Sequence, residues 1–135
     1  MSDELGIGAT LVRHVTVSKD QTIDFMGEAC RVYATPSLIA DVEHACRDLI
    51  FAHTEDGIDS VGTRVDIVHS AATLLGMDVD IRVTVKEYDG RRVLFDVTAS
   101  DPLDQICTGQ HERFVVDIEK TKTRLVAKAA KVAAL

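Results

Sequence analysis

Apolar and polar positions follow two different periods along this 135-residue chain. Residues 7–17, IGATLVRHVTV, are β-branched and apolar and predict an opening strand. From Pro36 to His53 the period is helical. At about 100° per residue, Leu38, Ile39, Val42, Ala45, Cys46, Leu49, Ile50 and His53 share one broad face. Ser37, Asp41, His44, Arg47 and Asp48 fall opposite, and Glu43 lies on the border, where a half-buried carboxylate is expected. Thr35 before Pro36 reads as a hydroxyl N-cap with proline at the first helical position. Beyond Gly57 the period drops to two. Val61, Thr63, Val65, Ile67 and His69 are expected on one strand face, and Val79, Ile81, Val83, Val85 and Glu87 on another. Tyr88-Asp89-Gly90-Arg91 signals a hairpin, because Asp-Gly tolerates the positive φ angles of such turns. Val93, Phe95, Val97 and Ala99 resume the alternation, and Asp101-Pro102 marks another turn. Ile106–Ile118 reads as a last strand, interrupted by Gly109 and the polar run Gln110–Arg113. The order of strand, long helix and four strands predicts an α+β fold: one domain over 1–120, an antiparallel sheet curled around one helix. A basic tail, helical or loose, follows over 121–135. The open sheet edge would form a dimer if paired across a two-fold axis.

Composition fits a single folded domain, with 46% hydrophobic and 27% charged residues. Aromatics are only 4% and Trp is absent, so the core has to come from Val, Ile, Leu and Ala. The net charge of −7 argues against nucleic acid as a partner, since a phosphate backbone would be repelled. That charge is uneven. Ten of the 15 basic and all 22 acidic residues precede position 120, leaving the body at −12 and the last sixteen residues at +5. Cys30, Cys46 and Cys107 are odd in number and widely spaced, which speaks against a disulfide framework or a zinc site. MSDELGIG lacks the regions of a signal peptide, and no apolar run has the length of a membrane span. These features lead us to expect a soluble, reduced, cytoplasmic protein with no membrane or metal partner.

Phosphate-loop, dinucleotide, nucleophile-elbow and H-E-x-x-H motifs are all missing. Candidate chemistry is therefore sought in polar residues that intrude on apolar faces. His69 ends a strand face and could carry a proton near neutral pH; its plain alternative is a satisfied core or turn residue. Glu43 could be a catalytic carboxylate or half of an intrahelical pair with Arg47 at i+4. Thr35 could be only a cap, yet the helix start it occupies also stabilises negative charge developing on a carbonyl oxygen.

The combination resembles a known family. ATPSLIADVEHACR at 34–47, SVGT at 60–63, DIVHSAATLLG at 66–76, DGRR at 89–92 and GQHERF at 109–114 are similar to blocks of the fluoroacetyl-CoA thioesterase-like hot-dog proteins, in the same order and spacing. The resemblance implies a hot-dog homodimer that hydrolyses small acyl-CoA thioesters at sites on the dimer interface. It needs no cofactor, coenzyme A entering only as part of the substrate. It also implies catalytic roles for Thr35, Glu43 and His69, a backbone position near the thioester for Gly62, and a substrate-binding, site-supporting role for Arg113. Two departures restrict the reading. In the lid stretch before the helix, Ala29 stands about where the family carries a gating Phe, and Leu74-Leu75 replaces a Pro-Pro pair. What is implied is thus the acyl-thioester class rather than fluoroacetyl-CoA itself.

Three other readings compete. A non-catalytic acyl-CoA binding module would use the same groove without turnover, but it has no need of a half-buried Glu43. A hot-dog hydratase would call for an Asp-x-Asn-Pro-x-His-like motif, which is absent. A plain structural dimer would reduce Thr35, Glu43 and His69 to cap, salt bridge and core residue.

Overall fold

The computed structural model describes residues 5–135. Strand β1 (Thr10–Thr16) leads through two short 3₁₀ turns and a two-residue ribbon, β2 (Thr22–Ile23) with β3 (Val32–Tyr33), into helix α1 (Thr35–Phe51). Strands β4 (Ile58–His69), β5 (Asp78–Tyr88), β6 (Arg92–Ser100) and β7 (Gln105–Asp117) follow, and helix α2 (Ile118–Ala133) ends the chain. The main sheet is antiparallel throughout, in the order β1-β5-β6-β7-β4. The expected α+β architecture is therefore present. The ribbon escaped the sequence reading because two-residue strands carry no period.

Helix α1 lies against the inner face of the sheet. Leu38, Val42, Ala45, Cys46, Leu49 and Ile50 are buried in one core with Ile81, Val83, Phe95, Val97 and Ala99. Burying a Leu, Ile or Phe in this way contributes about 1.5–3 kcal/mol, so the helix face and the sheet register hold each other in place.

Several expectations need correction. The N-cap of α1 is Ala34 and has no side-chain cap bond; Thr35 is already helical, which frees its hydroxyl. Asp41, expected on the outer face, is buried at 5% exposure. The chain before the helix folds over it: Tyr33 Oη donates to Asp41 Oδ2 at 2.5 Å, Gln21 Nε2 donates at 3.0 Å, and Arg13 lies 3.7 Å away. Arg47 pairs with Asp59 on β4 at 2.8 Å instead of with Glu43. In the hairpin turn only Gly90 has positive φ; the Asp89 carboxylate instead accepts from the backbone N–H groups of Arg91 and Arg92.

The faces of β4 also differ from a simple alternation. A bulge between Gly62 and Arg64 shifts the register with β7, so that Gly62 pairs with Arg113 and Val65 with His111. Gly62 thereby joins Val65, Ile67 and His69 on the inner face, while Val61 turns outward and Thr63 is the extra residue. A similar bulge after Val85 turns Glu87 outward and Tyr88 toward the core. Gly109 is required by close approach: a Cβ there would lie 2.2 Å from the Asp66 carbonyl oxygen. The tail expected from 121 continues from β7 as α2, which starts at Ile118. Asp117 caps it by accepting from the Lys120 N–H at 2.9 Å.

Candidate active site

Two groups of the expected residues assemble, at different points along α1. The first lies at the helix start. Thr35 Oγ1 is 2.8 Å from His69 Nδ1, joining the first turn of α1 to the end of β4. The imidazole stands edge-on to Tyr33, with ring centroids 6.4 Å apart, and its Nε2 is buried without a hydrogen-bond partner among the described residues. Burial lowers the His69 pKa from its ordinary 6.5, a shift that the Ala71 backbone partly opposes. The ring is therefore neutral at pH 7 and able to take a proton. The pair opens into a pocket of about 310 Å³ walled by Ile23, Val32, Ala71 and Ala72. The first-turn N–H groups of α1, which have no intrahelical acceptors, lie at this same end.

The second group sits at mid-helix. Glu43 is half-buried, and its Oε2 lies 3.6 Å from Arg113 Nη1. Gly62 faces both: a Cβ built on it would be 3.0 Å from Glu43 Oε2 and 3.4 Å from Arg113 Nη1. Arg113 is itself buried and fixed on three sides. Its Nε donates to Ser60 Oγ at 2.8 Å, its Nη2 to the Ser60 carbonyl at 2.9 Å, and its Nη1 lies 3.2 Å from His111 Nε2. His111 Nδ1 lies 2.7 Å from the Arg64 carbonyl, which can only accept. The ring is thus protonated on Nδ1 and accepts from Arg113 through Nε2. Burial, reinforced by the neighbouring guanidinium, lowers the His111 pKa and keeps it in this neutral form.

Glu43, Gly62 and Arg113 thus come together, as do Thr35 and His69, but within one chain the two groups stay apart. Eight helical residues separate Thr35 from Glu43, about 12 Å along the axis, which is beyond the reach of a glutamate side chain. His111 and Ser60 were missed as members of the second group. The period of two over Cys107, Gly109, His111, Arg113 and Val115 carries the signal for His111, since these residues share the inner face once Gly109 is accepted as part of the strand.

A larger concavity lies elsewhere. About 600 Å³ open between α2 and the β4–β7 edge, lined by Val61, Val116, Ile118, Leu125 and Val126, with none of the five expected site residues. The segment before α1 carries Phe25 and Met26 exposed, with Ala29 in the 3₁₀ turn Glu28–Cys30. Arg31 anchors it by donating to Glu28 at 2.7 and 2.8 Å.

An antiparallel sheet around one long helix, with a hydroxyl–imidazole pair at the helix start and a carboxylate at its middle, places the protein among the hot-dog thioesterases. Solved structures agree. The fluoroacetyl-CoA thioesterase FlK superposes with a TM-score of 0.85 at 28% identity, covering 93% of this chain and 98% of its own. A thioesterase superfamily member from Thermus thermophilus gives 0.88 at 27%, covering 96% and 97%. A hot-dog-like protein from Thermanaerovibrio acidaminovorans gives 0.82 at 26%, covering 90% and 91%. Residues 17–119 match the fluoroacetyl-CoA-specific thioesterase family, and the chain belongs to it. The fluoroacetyl-CoA thioesterase of Streptantibioticus cattleyicolor is 29% identical over 132 residues, 93% of this chain and 95% of the relative.

Proposed function

We propose that this protein hydrolyses the thioester of a small acyl-CoA to free acid and CoA, at a site completed by two copies of the chain. The carrying observation is the split itself. Thr35 and His69 touch, while Glu43 sits with Gly62 and Arg113 out of their reach.

Edge pairing accounts for that split. β4 is a twelve-residue edge strand with one side unpaired in the single chain, and Val61, Val65 and Val68 are exposed on it. A long apolar edge of this kind calls for a partner. Antiparallel pairing of two β4 strands about a two-fold axis near the strand's middle lays the His69 end of one beside the Gly62 end of the other. Glu43 packs against Gly62, so each Thr35–His69 pair then meets the partner copy's carboxylate.

In this arrangement the thioester carbonyl oxygen faces Thr35 and the N–H groups at the α1 start, which stabilise the charge that develops there. Glu43 supplies the carboxylate. It either attacks the carbonyl carbon, expelling the CoA thiolate and leaving an anhydride for water to cleave, or takes the proton from an attacking water. His69, neutral at the start, takes a proton released from the attacking water and passes it to the CoA thiolate. In a single turnover in oxygen-18 water, label in Glu43 would establish the anhydride route, because water activated by the carboxylate never bonds to it. Arg113 holds Glu43 against Gly62. No cofactor takes part, and CoA enters as part of the substrate. Three free thiols, two of them buried, suit a reducing cytoplasm, and among the described residues no helix is long and apolar enough to cross a membrane.

The test is a panel of short acyl-CoA esters assayed with wild-type protein, Glu43→Gln and His69→Ala. Cleavage by wild type and a loss of roughly a hundred-fold or more in each variant is expected. No cleavage of any ester, or variants at wild-type rates, contradicts the reading. Binding of acyl-CoA with no turnover would favour the binding-module alternative.

A further inference from the structure

Three of the basic residues that the mechanism leaves unused come together in space. Arg91, in the β5–β6 turn, and Lys120 and Arg124, one helical turn apart on α2, line one pocket of about 340 Å³ with Val115, Val116 and Asp117. None of the three cations has an ion-pair partner among the described residues, although seven other Lys and Arg side chains do. The neighbouring carboxylate, Asp117, already accepts from the Lys120 N–H as helix cap. Asp89 accepts from the backbone N–H groups of Arg91 and Arg92. Arg91 is held in place. Its carbonyl accepts from the Val115 N–H at 2.8 Å, and its guanidinium lies 5.9 Å from the Phe114 ring centre. Arg124 donates to Thr121 Oγ1 at 3.3 Å and is otherwise open.

Three unpaired cations converging from two elements repel one another, and they sit on a body that carries −12. Such an arrangement is stabilised by an anion that all three can reach. Guanidinium groups favour phosphate, whose oxygens match their paired donors. The pocket is also well placed along β7. Asp117 is four strand residues beyond Arg113, roughly 13 Å at the strand rise, a span that an extended pantetheine arm bridges.

We propose that Arg91, Lys120 and Arg124 seat the phosphates at the nucleotide end of the CoA ester, while the acyl end lies by Gly62. This assignment rests on the hydrolase reading and adds to it where the substrate's charge is held. It gives the +5 tail a specific function within an acidic protein.

The test uses the full chain with the triple variant Arg91→Ala/Lys120→Ala/Arg124→Ala. KM for acetyl-CoA should rise roughly ten-fold or more, as the loss of several screened charge contacts implies, with kcat retained. KM for acetyl-pantetheine, which lacks the nucleotide, should not move. The control Lys128→Ala/Lys131→Ala, further along α2, should leave both constants unchanged. Adenosine 3′,5′-bisphosphate, titrated by calorimetry, should bind wild type and fail to bind the triple variant. Inorganic phosphate, titrated in parallel, should bind far more weakly; equal affinity would overturn the proposal, as that is a generic anion site. An unchanged KM for acetyl-CoA overturns it too, as does an equal rise with acetyl-pantetheine or an equal effect from the control. The calorimetry stands without turnover, so a protein that binds the bisphosphate through these residues but cleaves no thioester would refute the hydrolase reading alone.

Discussion

Replacing Gly62 by alanine adds one methyl group where the account places its tightest functional contact. The new Cβ would sit 3.0 Å from Glu43 Oε2, 3.1 Å from His111 Cε1 and 3.4 Å from Arg113 Nη1. The first two are inside ordinary contact distance, so something must give by a few tenths of an ångström. The His111 ring is held by the Arg64 carbonyl and Arg113. Glu43 is the movable member, being half-exposed and at the end of a flexible side chain. Overpacking typically costs 1–3 kcal/mol, and alanine recovers about 0.4–1 kcal/mol by restricting the unfolded chain. The net loss of stability should therefore be about 1 kcal/mol, a shift of a few degrees in melting temperature. Activity should suffer far more. Misplacing a catalytic group by a fraction of an ångström to 1 Å costs roughly ten- to a hundred-fold. The assay is kcat/KM on the best acyl-CoA substrate beside a thermal melt, repeated in a Glu43→Gln background. If Gly62 acts through the carboxylate, the alanine effect should largely vanish there. A Gly62→Ala protein within about two-fold of wild type would refute the reasoning. So would a full, additive loss in the Glu43→Gln background. Gly109→Ala is the contrasting control. Its Cβ would meet backbone at 2.2 Å, so it should unfold or pull apart the β4–β7 pairing rather than spare the fold.

Three further outcomes follow from the same structure. Burial lowers the pKa of both His69 and His111 below 6.5. The unfolded chain therefore takes up protons first as the pH falls, and stability should be full above pH 6.5 and decline below it. The acidic limb of kcat/KM should likewise fall below 6.5; a midpoint above that value would contradict a neutral buried base. Asp41→Ala strands the Tyr33 hydroxyl and the Gln21 amide and should cost about 2–3 kcal/mol in denaturant melts, whereas an outer-face aspartate would cost almost nothing. Val65→Glu puts like charges on the exposed β4 edge. It should yield monomers by sedimentation and abolish turnover, and an active monomer would remove the composite site.

The large elements were legible because their periods are strong: α1 from its apolar stripe, β5 as far as Val85 and β6 from alternation. Failures occurred where one element's environment is set by another. Asp41 lies opposite the apolar stripe of α1, yet Tyr33, Gln21 and Arg13 cover it, and no helical projection contains those residues. The pairing of Arg47 with Asp59 instead of Glu43 is likewise a contact between elements. The bulge at Thr63 inverts the parity of β4, so a strict period of two placed Gly62 on the wrong face. Thr35 was identified as a candidate for a sound reason, but its capping role belongs to the Ala34 position, and the freed hydroxyl turns to His69 instead. The grouping of the five candidate residues into two sets could not be read from spacing, because it depends on the bulge and on helix length together.

Subunit complementation tests the central claim most directly. Glu43→Gln and His69→Ala are each inactive alone if both groups are needed. Unfolded together at equal amounts and refolded, half of the resulting dimers should be mixed. If Glu43 and His69 of different copies meet, each mixed dimer carries one intact site and one doubly damaged site, and activity should return to about a quarter of wild type. If both residues act within one chain, every site in the mixed dimer keeps a defect, and no activity should return.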